Sequence, residues 1–457
     1  MVPKVSNTME EAPAPAVQPA PTYVWWSRER WRLRLVLIAT SAMMAGASAP
    51  SPFYPVIQDE FGFAPVMITV VFAAYAVALL AALLTAGALS DHIGRRPVIC
   101  TAFVVLAISM VLFWHADSAA ALILSRVVQG IASGILLSTL SATVVDLELP
   151  HKPGSASSWN AISAMAGLAI GGLFAGATLS LFVDGSGAAV VFGTLVGTYL
   201  LLATIIWVLP ETSARRRGAW ASLLPRAALP REVRRAFLFA VPAFVAGWAT
   251  GGLYLSLGAN IITTEFHSSS HLVSGLIVTM LAGAGGLAGF FMRNRSARTV
   301  TLYGTISLAV GSTLTLVALT LTSPELYCLA VIITGTGFGT AFPGALKTIQ
   351  AVVKPEANAE VMAAVFVVCY LAFGLPVVIA GILVPAIGLF ATACWYGGSV
   401  ALLALCAALL RWFSGGARAL PSPRAPEITS RSVESNPERL SSRPGLGLQP
   451  VPAPVVR

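Results

Sequence analysis

Charge is what this sequence has least of. Of 457 residues only 10% are charged while 56% are hydrophobic, against roughly a quarter charged in an ordinary soluble domain. A chain so poor in charge cannot clothe the surface of a soluble protein of this length, so a soluble enzyme is excluded. Acidic residues are the scarcer sign, 19 Asp and Glu against 28 Lys and Arg. The resulting net charge of +9 does not indicate nucleic acid, because nearly all the basic residues lie in short segments between apolar stretches or in the two tails. No P-loop, HExxH or GxSxG pattern occurs, which removes the common ATPase and hydrolase signatures. The cysteines, Cys100, Cys328, Cys369, Cys394 and Cys406, fall in apolar stretches without metal-ligand spacing, so no metal site and no cofactor are expected.

Long apolar runs dominate the rest. A membrane span needs about 20 largely apolar residues, because backbone groups in lipid must bond within their own helix. Twelve stretches qualify: 35–56, 66–89, 97–114, 119–144, 160–182, 187–209, 236–262, 271–291, 300–321, 326–347, 360–384 and 388–410. The longest internal break, between the sixth and seventh, carries Arg215, Arg216, Arg217, Arg226, Arg231, Arg234 and Arg235 and divides the spans six and six. The expected organisation is a tail (1–34), a six-helix bundle (35–210), a linker (211–235), a second six-helix bundle (236–411) and a disordered tail (412–457). The tails are rich in Pro with Ala or Ser and lack hydrophobic period.

Loop charge orients the chain. One set of ends holds Arg28, Arg30, Arg32, Arg34, Arg95, Arg96, Lys152, the linker arginines, Arg293, Arg295, Arg298 and Lys354; the other holds Asp59, Glu60, Asp117, Asp184, Glu265 and Glu325 without any Lys or Arg. By the positive-inside rule the basic ends, the linker and both termini are cytoplasmic. A weak internal repeat supports two related halves. GALSDHIGRRPV at 87–98 sets against GFFMRNRSARTV at 289–300, and QGIASG at 129–134 against TGTGFG at 334–339, each pair at an equivalent topological place.

The tightest polar cluster is the first of these turns. Gly87 and Gly94 allow a sharp reversal between antiparallel helices, and Pro97 suits the first turn of the next. Asp91 can face that helix's N-terminus, while Arg95 and Arg96 can bond helix C-termini or carboxylates. The segment reads either as an anchored turn or as a latch closing the basic side. Arg126 is the only formal charge well inside a span, with Gln129 one turn on and Gly130 and Gly134 letting a neighbouring helix approach. It reads as facing a transport cavity, with snorkelling or a structural bond to carbonyls as competitors. Asp146, roughly 30 Å further along a straight helix, cannot neutralise it and should instead approach the Asp91/Arg95 turn. Candidate cavity residues are Tyr54, Trp248, Asn260 and Tyr370, with Ser41, Ser48, Ser51, Tyr254, Ser256 and Phe373 as further possibilities.

The 87–97 segment resembles the signature loop of the major facilitator superfamily, and Arg126 with Gln129, Gly130 and Gly134 resembles its fourth-helix motif. Pro210-Glu211-Thr212 closing the sixth helix agrees. The resemblance covers about residues 35–411. It implies an all-α polytopic membrane protein whose twelve transmembrane helices form two pseudo-symmetric six-helix bundles. By this resemblance Asp91, Arg95 and Asp146 form a cytoplasmic charge relay, and Arg126 takes part in solute or proton coupling. Among the branches, twelve-helix bacterial drug:proton antiporters of the inner membrane are most similar. Gly167-Leu168-Ala169-Ile170-Gly171-Gly172 is similar to their fifth-helix motif, with Leu168 where they carry Pro. That branch implies a monomer in the lipid bilayer whose partners are a small-molecule solute and protons, with no nucleic acid. Spans 1, 2, 7, 8 and 11 hold no internal Asp or Glu, a departure from relatives that bind the proton on a carboxylate. An importer or facilitator of a small metabolite is the alternative, and a transport-incompetent sensor would require a signalling domain.

Overall fold

The computed structural model describes residues 24–148, 155–182, 185–215, 218, 229–268 and 270–414. The expectations placed on residues 1–23, Lys152, Asp184, Arg216, Arg217, Arg226 and the tail after Ser414, and on the side chain of Arg28, lie outside them.

Among the described residues, twelve helical spans are long and apolar enough to cross a membrane, and every regular element is a helix. In chain order they are α1 (Val24–Ser48) with α2 (Tyr54–Phe61), α3 (Pro65–Ala86), α5 (Arg95–Trp114), α6 (Ala119–Asp146), α7 (Ser155–Leu181), α8 (Gly187–Ile205), α9 (Arg231–Ser256) with α10 (Gly258–Glu265), α11 (His271–Met292), α12 (Ala297–Thr320), α13 (Pro324–Gln350), α14 (Asn358–Ile387) and α15 (Leu389–Ser414). A short helix, α4 (Leu89–Ile93), lies in the turn between the second and third spans. The first helix starts at Val24, not near residue 35. Its polar first turns carry tryptophans among the arginines, the composition of a helix end at a membrane interface, and Arg32 lies 6.0 Å from the Trp31 ring.

The first six spans pack as one bundle and the last six as another, and the two are pseudo-symmetric. Each half breaks its first span near the same end. In the first half Pro50, Pro52 and Pro55 remove backbone donors, and a single 3-10 turn (Ser51–Phe53) separates α1 from α2. In the second half the break is a kink at Leu257, whose amide still bonds the Leu253 carbonyl at 2.8 Å. The halves meet along α7 with α11 and along α3 with α14. Small residues make the first meeting possible: a Cβ on Gly172 would lie 2.9 Å from the Val278 Cβ, and one on Gly176 would lie 2.7 Å from the Gly275 Cα.

Candidate functional site

At the basic end the Asp91 turn is built on Gly94, whose φ of +120° suits only a residue without Cβ. Arg95 begins α5 and reaches two helices at once. Its guanidinium lies 2.6 Å from Asp91 and 3.2 Å from Asp146 at the end of α6, and donates to Ser90 Oγ at 2.6 Å. Asp146 also accepts from Thr212 Oγ1 at 2.8 Å. The structure brings Asp91, Arg95 and Asp146 into one cluster, and Gly87 caps the C-terminal end of α3.

The central carboxylate of this turn is one that charge reasoning passed over. Glu211 accepts from the backbone amide of Arg95 at 2.8 Å, that of Arg96 at 3.3 Å and that of Ser213 at 3.0 Å. It thereby caps the free amides at the start of α5, where negative charge is favoured. Burial pushes its carboxyl up, but the Arg95, Ser213 and Arg96 amides and the Arg215 guanidinium outweigh that and hold it below the usual carboxylate range. A Cβ on Gly94 would lie 2.7 Å from Glu211 Oε2, a second reason for glycine there. Ser213 closes the ring by donating to the Asp91 carbonyl at 3.0 Å. Pro210-Glu211-Thr212 was the available signal: three residues fixed to a helix end, one of them acidic.

Arg126 is only 2% exposed. It donates to Gln129 Oε1 at 2.6 Å and to the Tyr54 hydroxyl at 2.5 Å. Its guanidinium carbon lies 5.1 Å from the Phe113 ring centroid, 5.6 Å from Tyr54 and 5.8 Å from Tyr75. All of these groups belong to the first half. The charge is therefore enclosed among first-half groups in this conformation, and it does not snorkel to the membrane edge. Ring faces and neutral oxygens replace a carboxylate as partners, each ring of the order of 2 kcal/mol when desolvated. Nε of Arg126 is buried with no hydrogen-bond partner. Gln129 in turn donates to the Gly46 carbonyl at 2.8 Å, so α6 holds α1 and α2 through two adjacent polar side chains.

Glycine allows that proximity. A Cβ on Gly130 would lie 2.5 Å from the Tyr75 carbonyl oxygen, and one on Gly134 equally close to that of Leu79. Gly167 and Gly171 place α7 directly against the backbone of α1 at Ser41 and Ala45, where Ser41 and Ser48 donate to the Ser163 and Leu168 carbonyls, both at 2.8 Å. These serines join helices. Tyr254 does the same, 2.9 Å from Thr315 Oγ1, and Ser256 bonds the Gly252 carbonyl in its own helix.

The four candidate cavity residues do not converge. Trp248 and Tyr370 do meet, with ring centroids 4.8 Å apart, and Phe373 and Phe342 each lie 5.8 Å from Trp248. Phe373 reaches across to Phe72 of the first half at 4.9 Å. Trp248 and Phe342 keep partial exposure. Tyr54 belongs instead to the Arg126 network. Asn260 sits at the acidic end, where its Nδ2 donates to Gln58 Oε1 at 2.8 Å and ties α10 to α2 across the halves. Ser51 also crosses there, donating to the Leu255 carbonyl. Spacing could not foresee these pairs, since each joins residues about 200 positions apart.

The model of the Major Facilitator Superfamily matches residues 36–375. Inner membrane transport protein YnfM of Escherichia coli (strain K12) is 30% identical over 128 residues, 27% of this chain. That match spans 30% of the relative's length. A bacterial homolog of the human lysosomal transporter Spinster, in an inward-facing, unoccupied conformation, superposes with a TM-score of 0.69 at 15% identity, covering 86% of this chain and 99% of the other. The partially occluded inward-open xylose transporter XylE from E. coli gives 0.67 at 12% identity, covering 86% and 100%. At such identities the likeness is one of fold.

Proposed function

The chain belongs to the major facilitator superfamily, and from that premise we propose that it exports a moderately lipophilic organic solute across a bacterial inner membrane in exchange for protons. Membership makes it a carrier and not an enzyme: a small solute crosses by alternating access of the two bundles, as secondary active transport. The single observation that carries the solute class is the aromatic wall of Trp248, Phe342, Tyr370 and Phe373 beside the meeting of the halves. Such a wall offers large apolar contact and few polar groups, which suits lipophilic bodies and lacks the several partners a sugar or di-acid requires. Export is supported by the glycines of α7, which resemble the exporter motif and sit where α7 packs on both α1 and α11. The membrane assignment follows the name of the bacterial relative, with both termini cytoplasmic by loop charge.

In this reading Arg126 does not touch the solute in the conformation described. It acts through Tyr54 on α2, one turn before Gln58 and therefore on the same face of that helix. The Asp91–Arg95–Asp146 cluster braces the first half in this conformation and acts as the latch of the basic end when it gains a partner across the division. A second reading, uncoupled or inward movement of a small metabolite, is favoured by one observation: among the described residues no Asp or Glu lies within the middle of any span.

The deciding experiment is solute-dependent proton flux in proteoliposomes under imposed pH gradients of both signs. Exchange predicts solute accumulation against the proton gradient and a matching proton flux. Solute movement that ignores the gradient would leave the second reading in place. No movement of aromatic or lipophilic test solutes, with a hydrophilic one moved instead, would remove the aromatic wall as the site.

A further inference from the structure

The two related turns at the basic end differ in their charge. In the first half, the 87–98 turn meets carboxylates on every side: Asp91, Asp146 and Glu211. Its counterpart at 289–300 carries Arg293, Arg295 and Arg298 with no Asp or Glu. Tertiary contacts add more positive charge to it. Lys347 Nζ lies 3.1 Å from the Arg293 carbonyl, Arg411 donates to Thr348 Oγ1 at 3.0 Å, and Arg298 donates to the Trp412 carbonyl at 3.3 Å. Four cations from three separate parts of the sequence are thereby linked into one patch on the ends of α11, α12, α13 and α15. None of the ion pairs among the described residues involves Arg293, Arg298 or Lys347; their bonded partners are backbone carbonyls, including Phe290 at 2.6 Å from Arg293.

We infer that this patch binds the headgroup of an anionic phospholipid. Like charges gathered at a membrane edge attract an anion to offset their repulsion, and basic recesses between helix ends are suited to lipid phosphates. The aromatic surroundings select a lipid over a free anion. Trp412, Phe413 and Phe291 are 63%, 75% and 72% exposed, and they lie at the same helix ends as the cations. Exposed aromatic rings beside cations mark the level where headgroup gives way to acyl chain. The phosphate would take Arg298, Lys347 and Arg411, with Arg293 held aside by stacking at 4.0 Å on Phe290, while the chains run along the apolar outer faces of α12 and α15. The first-half turn, neutralised by its own carboxylates, would bind no such lipid.

The test uses the full chain, purified and placed in nanodiscs of phosphatidylcholine doped with phosphatidylglycerol, with retained lipid counted by native mass spectrometry. Wild type should retain phosphatidylglycerol over phosphatidylcholine, and R298Q/K347Q/R411Q should lower that retention about tenfold. A control variant, R231Q, removes an exposed cation at the same end of the protein outside the patch and should retain the lipid as wild type does. Millimolar inorganic phosphate should fail to displace the lipid. Equal retention by the triple variant, equal loss by R231Q, or displacement by phosphate alone would each overturn the assignment. If the triple variant does not elute as a folded monodisperse species, R298Q alone decides, because Arg298 is exposed: it should lose retention at least threefold, and unchanged retention refutes the site.

Discussion

At the acidic end the halves are joined by neutral groups, Gln58 with Asn260 and Ser51 with the Leu255 carbonyl. At the basic end the polar groups are charged, yet Arg95–Asp91, Arg95–Asp146 and Arg215–Glu211 all stay on the first-half side, and Lys354–Glu232 stays in the second. A neutral hydrogen bond contributes about 1 kcal/mol net and can be exchanged for water without stranding a charge. A charged cluster whose members are mutually satisfied holds its own half in shape and opposes separation only when it finds a partner across the division. The contacts that must break for alternating access are therefore the weak ones in this conformation, and the strong ones travel with a rigid half.

The largest effect expected from that contrast comes from making the weak end permanent. After replacement of the five native cysteines, Gln58→Cys with Asn260→Cys joined by a short bifunctional reagent should abolish transport. A reducible reagent should restore it on cleavage. Full transport in the cross-linked protein would show that the acidic end need not open.

Next in size is Arg126→Lys, expected to lower exchange at least tenfold in reconstituted protein. A single ammonium keeps the charge but cannot match the planar fork that serves Gln129 and Tyr54 together. Tyr54→Phe should cost less, because it keeps the ring and loses one bond, and labelling at the acidic end should rise in both variants. Near-native exchange and labelling in both would leave Arg126 as an anchor of the bundle.

Asp91→Asn and Arg95→Ala test the charged end. Each should slow transport several-fold with insertion intact, Arg95→Ala more so because Asp146 and Asp91 both lose their cation. Wild-type turnover by purified D91N would make the cluster an anchored turn.

The smallest effect belongs to Glu211. Its folded value lies below that of an unfolded carboxyl, so its stabilising contribution is complete above the ordinary carboxylate range and fades only as pH falls through the lowered value. Protease protection at the start of the linker should hold from neutral pH down to about pH 5. Glu211→Gln should weaken it across that whole range. Protection that falls between pH 7 and pH 6 would assign the linker's anchorage to another group.

How legible all this was in the sequence varied with the kind of interaction. Local rules sufficed for the sharp reversal at Gly94, which needs its positive φ. The grouping of Asp91, Arg95 and Asp146 rested on the family resemblance, because Asp91 and Arg95 lie on separate helices, α4 and α5. Local rules failed for Glu211, whose partners are mostly backbone amides 115 or 116 residues distant, groups that carry no sequence label. Asn260 was assigned to a cavity because a polar residue in an apolar run has no direction until its helix is packed.

Sequence by itself determined twelve spans, their division six and six and the gathering of basic residues at one set of ends, because lipid forces backbone bonding to be local and charge to stay at the margins. Tertiary structure alone decided that Arg126 is sealed among Tyr54, Tyr75 and Phe113, that Asn260 closes the acidic end, and that Arg298, Lys347 and Arg411 share a patch. Each of those outcomes depends on which face a helix turns toward which neighbour, and that is set by the packing of whole helices and not by the spacing along any one of them.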